Sequence, residues 1–401
     1  MSNWETLPLG DVLTFQRGFD ITKAEQRDGP YWVISSSGPK SRNEHYKVAG
    51  PGVVIGRKGS LGTVFYSHGN YWPHDMTLWV KDFHGNDPKF AYYYLQAMGL
   101  ERLDAGSSNP SLNRNHIHTI PVLWPTLVIQ RRIADILSAY DDLIENSQRR
   151  IKILEEMARR LYREWFVHFR FPGHEGCRFV DLPLGEIPEG WEVKRLGDVT
   201  TKIGSGATPK GGKGAYKTEG IHLIRSLNIY DYSFHFDNLA FIDEGQAAEL
   251  KNVRVQQNDV LLNITGASVA RCAMVPSYLL PARVNQHVAI IRADEATVSP
   301  YYLLDAINSD FHKQQLLSYA QGGATREALT KETISDFEIV VPSTLVMNRY
   351  AGVASSIHLQ RETLTLQVHN LRRTRDLLLP RLLSGQIDVE ALPGPTLLEG
   401  S

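Results

Sequence analysis

Trp4-Glu5-Thr6-Leu7-Pro8-Leu9-Gly10-Asp11-Val12 is answered, 187 positions later, by Trp191-Glu192-Val193-Lys194-Arg195-Leu196-Gly197-Asp198-Val199. A repeat has to be found first, because missing one misassigns the whole architecture. Working outward, Tyr93-Tyr94-Leu95 meets Tyr301-Tyr302-Leu303. Ile117-x-x-Ile120-x-Val122-x-x-Pro125 meets Ile334-x-x-Phe337-x-Ile339-x-x-Pro342, and Thr126-Leu127-Val128 meets Thr344-Leu345-Val346. Matches in one order identify a tandem duplication. Its second copy carries insertions, chiefly before its midpoint.

Each copy opens with strand-and-turn chemistry. Tyr31-Trp32-Val33-Ile34, Gly52-Val53-Val54-Ile55-Gly56, Asp259-Val260-Leu261-Leu262 and His287-Val288-Ala289-Ile290-Ile291 are short runs bounded by turn formers, which predicts strands. Helices are expected over 88–98 and 299–308. A long helical segment closes each copy. In the first, apolar residues recur at Ile129, Ile133, Ile136, Tyr140, Leu143, Ile151, Leu154, Ala158, Leu161 and Trp165, with Ser147 as a polar break. In the second they fall at Val346, Tyr350, Val353, Ile357, Leu364, Val368, Leu371 and Leu378. Steps of three and four averaging close to 3.5 give the coiled-coil period. Neither stretch holds an interior proline, and only Gly352 weakens the second.

About 40 residues at 1.5 Å each span roughly 60 Å, more than the width of a domain of about 120 residues. Two helices that merely cap their own domains would not need that length. The expected fold is therefore α+β. Two globular mixed α/β domains, 1–124 and 183–342, are held apart by an antiparallel coiled coil of two helical regions, 125–182 and 343–401, with an internal pseudo-twofold repeat.

Length and composition narrow the function only by exclusion. A chain of 401 residues with 42% hydrophobic and 22% charged residues buries a sizeable core in about two to four domains. Cys177 and Cys272 are its only cysteines, too few for a disulfide-stapled scaffold or a structural zinc site. The N-terminus lacks a basic start and apolar run, and no stretch of about 18 apolar residues occurs, so a cytoplasmic chain is expected. The net charge of −1 gives no global sign of a polyanionic partner.

Catalytic motifs are missing as well. Gly204-Ser205-Gly206-Ala207-Thr208-Pro209-Lys210-Gly211-Gly212-Lys213-Gly214 fails as a P-loop, because Gly214 stands where a Ser or Thr should hold magnesium. It fails as a dinucleotide fingerprint at Pro209. His116-x-His118 reads as a surface loop rather than a ligand pair. There is no Gly-x-Ser-x-Gly elbow, no Asn-Pro-Pro-aromatic sequence of an amino-methyltransferase, and no convincing acidic cluster followed by Glu-x-Lys for a metal nuclease. The chain is expected to be neither a catalyst nor a metal protein.

Local basic and polar loops remain. In the first copy they hold Arg17-Gly18, Lys23, Arg27, Arg57-Lys58-Gly59-Ser60, and the stretch from Ser107-Ser108-Asn109 to Asn113-Arg114-Asn115. In the second they hold Lys202, Lys210, Lys213, Lys217, Arg225, Asn228, Arg271 and Gly322-Gly323-Ala324-Thr325-Arg326. Cations meet phosphates, glycine admits a close backbone, and Arg or Asn reads base edges. Taken singly, each loop could be merely solvated. Their recurrence in both copies favours DNA contact by Arg17, Lys23, Arg57, Lys58, Ser60, Asn113, Arg114, Lys202, Lys210, Lys213, Lys217, Arg225, Asn228, Arg271 and Arg326.

Leu161-Tyr162-Arg163-Glu164-Trp165-Phe166-Val167-His168-Phe169-Arg170-Phe171-Pro172-Gly173 ends the first helical region. Leu379-Pro380-Arg381-Leu382-Leu383-Ser384-Gly385-Gln386-Ile387-Asp388-Val389 ends the second. With the paired Trp-Glu…Leu-Gly-Asp-Val openings and the linker Leu184–Trp191, nearly the whole chain resembles a specificity (S) subunit of a Type I restriction–modification system. The resemblance implies two target-recognition domains, each reading one half of a split, asymmetric double-stranded DNA sequence. It implies that the helices act as a ruler and dock two modification (methyltransferase) subunits, with Arg163, Trp165, Phe166, Phe169, Leu382, Leu383 and Ile387 as docking residues. Restriction (translocase/endonuclease) subunits complete such a complex. S-adenosylmethionine, ATP and magnesium are expected on those partners, and no cofactor in this chain. The readings that compete are a paired-module adaptor for protein or carbohydrate, and a nuclease or methyltransferase in its own right.

Overall fold

The computed structural model describes residues 3–103, 111–182, 185–321 and 328–392. They form two compact units: Met1–Asn146 with Gln367–Ser401, and Ser147–Leu366.

The first unit is organised by a four-stranded antiparallel sheet in the order Thr14–Arg17, Thr77–Asp82, Gly52–Gly56, Val64–Ser67. Gly52–Gly56 is buried along its whole length, as a continuous apolar run in a central strand should be. A three-stranded sheet of Gly38–Asn43, Tyr31–Ser35 and Tyr71–Pro73 stands beside it. Trp4–Pro8 pairs with Pro121–Pro125 and closes the domain. The second unit repeats the plan with Thr200–Ser205, Val288–Ala293, Val260–Asn263 and Cys272–Met274, closed by Glu192–Arg195 against Glu338–Val341. Its second sheet has four strands rather than three: Ala240–Ile242, Ile221–Ile224 and Ala282–Val284 repeat the pairing of the first unit's three, and Arg254–Val255 is added beside Ala282–Val284. Cys272 is fully buried, and burial raises its thiol to about 12. That sulfur is core packing.

In each unit a helix begins on a capped proline. The Asp87 carboxylate accepts from the Phe90 N–H at 2.8 Å ahead of Pro88–Ala97, and the Ser299 hydroxyl accepts from the Tyr301 N–H at 3.3 Å ahead of Pro300–Asn308. Aligning these caps pairs Tyr93 with Asp305. The sequence match of Tyr93-Tyr94-Leu95 to Tyr301-Tyr302-Leu303 is therefore shifted by about one helical turn. Two tyrosine pairs outweighed the cap in the sequence, whereas the helix start fixes which face looks inward.

The two long helices, Leu127–Tyr162 and Thr344–Leu383, run through both units. In the first unit Ile129, Ile133 and Leu137 share a core with Leu382 and Leu383. In the second, Tyr162, Trp165 and Phe166 share one with Val346, Met347 and Tyr350. Low numbers of one helix meet high numbers of the other in both units, so the pairing is antiparallel.

The seam differs in detail from the sequence pattern. Buried positions on the first helix include Ile129, Ile133, Leu137, Ile144, Ser147 and Ala158, while Leu143 is 50% exposed. Ser147, expected as a polar break, is itself buried. On the second helix Ala354 is buried and Val353 is 45% exposed. That helix also continues through Pro380 to Leu383.

Candidate nucleic-acid interfaces

Each unit builds one turn in the same way. In the first unit the edge strand Thr14–Arg17 runs into Gly18, whose N–H donates to Thr77 O at 3.0 Å, and Phe19 N–H donates to Pro73 O at 2.8 Å. The intervening turn closes with Thr77 N–H on His74 O at 2.9 Å and Met76 N–H on His74 Nδ1 at 3.3 Å. Arg57 N–H then donates to Met76 O at 2.9 Å, and Leu112 N–H to Arg57 O at 3.0 Å.

The second unit repeats each of these bonds. Gly206 N–H donates to Val288 O at 2.8 Å and Ala207 N–H to Val284 O at 3.1 Å. Val288 N–H meets Asn285 O at 3.1 Å, and His287 N–H meets Asn285 Oδ1 at 3.2 Å. Ile264 N–H donates to His287 O at 3.0 Å and Leu329 N–H to Ile264 O at 2.9 Å. Glycine is required at both strand ends. A Cβ on Gly18 would fall 2.1 Å from His74 O, and one on Gly206 would fall 2.1 Å from Val284 O.

The scaffold is shared and the side chains on it are not. In the first unit Arg17 donates through Nη2 to Asp75 Oδ2 at 2.8 Å and through Nε to Asp75 O at 3.3 Å. His74 Nδ1 lies 2.8 Å from Asp75 Oδ1. Asp20, His74 and Asp75 form the one metal-like group among the described residues. Arg17 already supplies its positive charge, which makes it an ion-pair cluster. Arg57 stands next to Arg17, and burial first, then that neighbouring cation, holds its guanidinium below the ordinary value. In the second unit Thr208 donates to Gln286 Oε1, Gln286 Nε2 sits 3.1 Å from His287 Nε2, and Thr265 Oγ1 sits 2.6 Å from His287 Nδ1.

The residues selected from sequence scatter around these turns. Arg17, Arg57 and Lys58 lie at the first turn, and Ser60 is exposed just beyond. Lys23 and Arg114 are exposed, and Asn113 caps its short helix by accepting from Asn115 N–H at 3.0 Å. In the second unit Lys202 donates to Asn252 O at 2.6 Å, Lys210 pairs with Glu249 at 3.2 Å, Lys217 lies 3.6 Å from Asp243, and Lys213 is exposed. Such exposed pairs are weak and exchange readily. Arg225 stacks over Tyr216 and donates to Asn238 O. Arg271 lies 4.4 Å over the Tyr230 ring, which stacks on His235 at 3.9 Å. Arg326, with Ser107-Ser108-Asn109 and Gly322–Thr325, lies outside the described residues.

Asn228 requires correction. It is fully buried; its Oδ1 accepts from Arg225 N–H at 3.1 Å and its Nδ2 donates to His235 O at 3.0 Å, so it holds a loop and reads no base. His118 is likewise structural, accepting from Phe15 N–H at 3.0 Å at the end of the helix Arg114–His118.

The docking set divides too. Trp165 and Phe166 are buried, with Phe166 edge-on to Tyr350 at 4.7 Å and to Tyr302 at 4.8 Å. Leu382 and Leu383 are buried in the first unit's core. These four are internal packing and present no docking surface. Arg163 is exposed, whereas Phe169 and Ile387 are half-buried.

Sequence reasoning missed His74, Asp75, Thr208, Thr265, Gln286 and His287. A search for cations passes over neutral amides, and the available signal was positional: each turn directly precedes the long central strand of its sheet.

Comparison with known proteins follows the duplication. A family model described as the Type I restriction modification DNA specificity domain matches twice, over residues 1–156 and 188–345. The Type I restriction enzyme MjaIX specificity subunit of Methanocaldococcus jannaschii is 27% identical over 295 residues, covering 73% of this chain and 66% of that one, just under two thirds of its length. The MjaVIII specificity subunit of the same organism is 20% identical over 407 residues, covering 97% and 94%. The HindI specificity subunit of Haemophilus influenzae is 23% identical over 343 residues, covering 69% and 71%. Among solved structures, the S subunit of a Type I restriction–modification system from M. genitalium superposes with a TM-score of 0.70 at 15% identity, over 95% of this chain and 96% of that one.

Proposed function

The chain belongs to the Type I restriction–modification DNA specificity family, and we propose that it is the subunit that selects the DNA sequence in such a complex. It reads a bipartite, asymmetric duplex target, one half through each unit. Modification subunits dock on it and bring S-adenosylmethionine; restriction subunits bring ATP-driven translocation and magnesium-dependent cleavage. The chain itself is non-catalytic and carries no cofactor. The boundaries that go with this reading are recognition domains 1–124 and 183–342, with docking regions 125–182 and 343–401. The continuous helices set the length of the unread spacer.

One observation carries the reading: the same backbone turn is built twice and loaded with different side chains. Duplicated scaffold with unlike tips is what a reader of two unlike half-sites needs, because phosphate contacts position a protein while base edges specify it. Arg57 and Lys58 at one turn, and the lysine-bearing loop Lys210–Lys217 in the other unit, supply the cationic surroundings. Near-zero net charge is compatible with this role where partner subunits share the phosphate neutralisation.

The experiment is a domain exchange. Residues 1–124 are replaced by the matching segment of another family member, and the complex's methylated motif is mapped in a host genome. One half of the motif should change and the other persist. A change in both halves rejects modular reading; a purified chain with no DNA affinity at low salt favours an adaptor instead.

A further inference from the structure

We infer that the two equivalent turns are the base-reading points, with Arg17 reading a guanine in one half-site and Gln286 reading an adenine in the other. This rests on the proposed DNA-reading function and adds which side chain reads which base.

The hydrogen bonds already used inside the protein decide what is left to read. Arg17 spends Nε and one Nη2 hydrogen on Asp75, and its side chain is still 58% exposed. The remaining end of the guanidinium offers two parallel N–H groups, the fork that matches O6 and N7 of guanine in the major groove. Asp75 is a positioning residue: its backbone carbonyl and its carboxylate hold the guanidinium at two points, which fixes the direction of the fork. Fixing it in advance lowers the rotamer entropy that binding would otherwise cost.

Gln286 is exposed and held at both ends, its Oε1 by Thr208 and its Nε2 by His287. An amide has two acceptor sites and two donor hydrogens. One of each is taken, which leaves one acceptor beside one donor. That pair complements N6–H and N7 of adenine. Thr265 Oγ1, 2.6 Å from His287 Nδ1, settles the ring that steadies the amide.

The requirement for glycine at positions 18 and 206 fits the same role, since it lets the neighbouring strand end lie directly against the turn carbonyls. The backbone thus keeps the reading point in place while the side chains are free to change between copies.

The full chain, alone and assembled with modification subunits, is incubated with random-sequence DNA duplexes, and the bound duplexes are sequenced. The unchanged chain should enrich a split motif with an essential guanine in one half and an essential adenine in the other. Arg17→Ala should cut discrimination at that guanine about tenfold or more and leave the adenine half untouched. Gln286→Glu, an acceptor in place of the amide, should move the preference at its position from adenine to cytosine, whose N4 amino group donates. Asp75→Asn should weaken guanine discrimination less than Arg17→Ala does. Arg17 and Gln286 are exposed and Asp75 is half-buried, and an unchanged melting temperature verifies the folding of each variant. A split motif that neither Arg17→Ala nor Gln286→Glu alters overturns the assignment while leaving the DNA-reading function intact. No enriched motif from the unchanged chain overturns that function itself.

Discussion

The two units attach their domains to the long helices with inverted chemistry. In the first, the carboxylate sits on a long helix: Asp141 accepts from the Tyr93 hydroxyl at 2.6 Å and pairs with Arg375 at 2.6 Å, with both charged side chains more than a quarter exposed. In the second, the carboxylate sits on the domain. Asp305 is fully buried, accepts from the Tyr350 hydroxyl at 2.6 Å, and lies 3.1 Å from His358 Nε2. Helix caps place Tyr93 and Asp305 at equivalent positions, so the fold conserves where the tie is made and not which partner brings the charge. Solvent then separates the two energetically. A wet ion pair contributes little, whereas a buried carboxylate is costly to leave half-paired.

The sharpest way to break this comparison is to delete each carboxylate. Asp305→Ala strands a buried tyrosine hydroxyl and a buried histidine, and should destabilise the second unit by about 3–5 kcal/mol. The denaturant midpoint of that unit, followed through Trp165 and Trp191, measures it. A loss near 1 kcal/mol would mean that water reaches the site.

Phe166→Ala tests the aromatic half of the same junction. Phe166 contacts Tyr162, Trp191, Tyr302 and Tyr350, and its truncation should cost about 3–4 kcal/mol through transfer and cavity terms. Modification-subunit binding by the folded remainder should persist, because the side chain is internal. Selective loss of binding with unchanged stability would restore it as a docking residue.

Acid should also affect the second unit through a buried histidine. Burial lowers His312 to about 4, and its Nδ1 lies 3.0 Å from Ala306 O. The unfolded chain takes up a proton near 6.5 while the folded unit resists until about 4. Stability from this residue is therefore complete above 6.5 and is lost as pH falls through that window, by about 2–3 kcal/mol near the bottom. Comparing midpoints at pH 7 and 4.5 in the native chain and in His312→Asn checks the sign; the variant should flatten the slope.

Much of this was readable in sequence, and the failures share a cause. Strands at Gly52–Gly56 and Val288–Ala293 follow from apolar runs between turn formers, and the repeat announced the duplicated plan. Burial was harder. A period of 3.5 cannot tell Leu143 from Ile144 or Val353 from Ala354, because one residue's rotation is decided by the facing helix. Aromatics at Trp165 and Phe166 read as a docking patch until Tyr302 and Tyr350, far along the chain, arrive to cover them. Gln286 and Asp75 carry no intrinsic signal; a turn closed by residues from three distant segments gives them their role.

Asp141→Ala is the first unit's counterpart of Asp305→Ala and should cost only about 1 kcal/mol. Arg375 keeps Asp376 as a neighbour at 2.9 Å, so its charge is not abandoned. The Tyr93 hydroxyl loses its acceptor, and that accounts for most of the loss. High salt should shrink only the ion-pair share of the effect, as expected for a partly exposed pair, while leaving the Asp305→Ala deficit nearly unchanged.

The smallest stability effect belongs to the cationic loop. Lys210 and Lys217 meet carboxylates at the surface and Lys213 is exposed, so replacing all three by alanine should move the unfolding midpoint by less than about 0.5 kcal/mol. Its consequence lies in binding. Each lysine that exchanges its carboxylate for a DNA phosphate releases about one counterion. Removing such a lysine should lower the magnitude of the salt slope by about one unit for every phosphate it had neutralised, equally for all sequences. Arg57→Ala with Lys58→Ala does the same in the first unit, where a second arginine stands close by. If the second unit's triple variant leaves the slope unchanged while the first unit's double variant reduces it, the phosphate load is carried by one unit and the symmetry of the scaffold does not extend to its electrostatics.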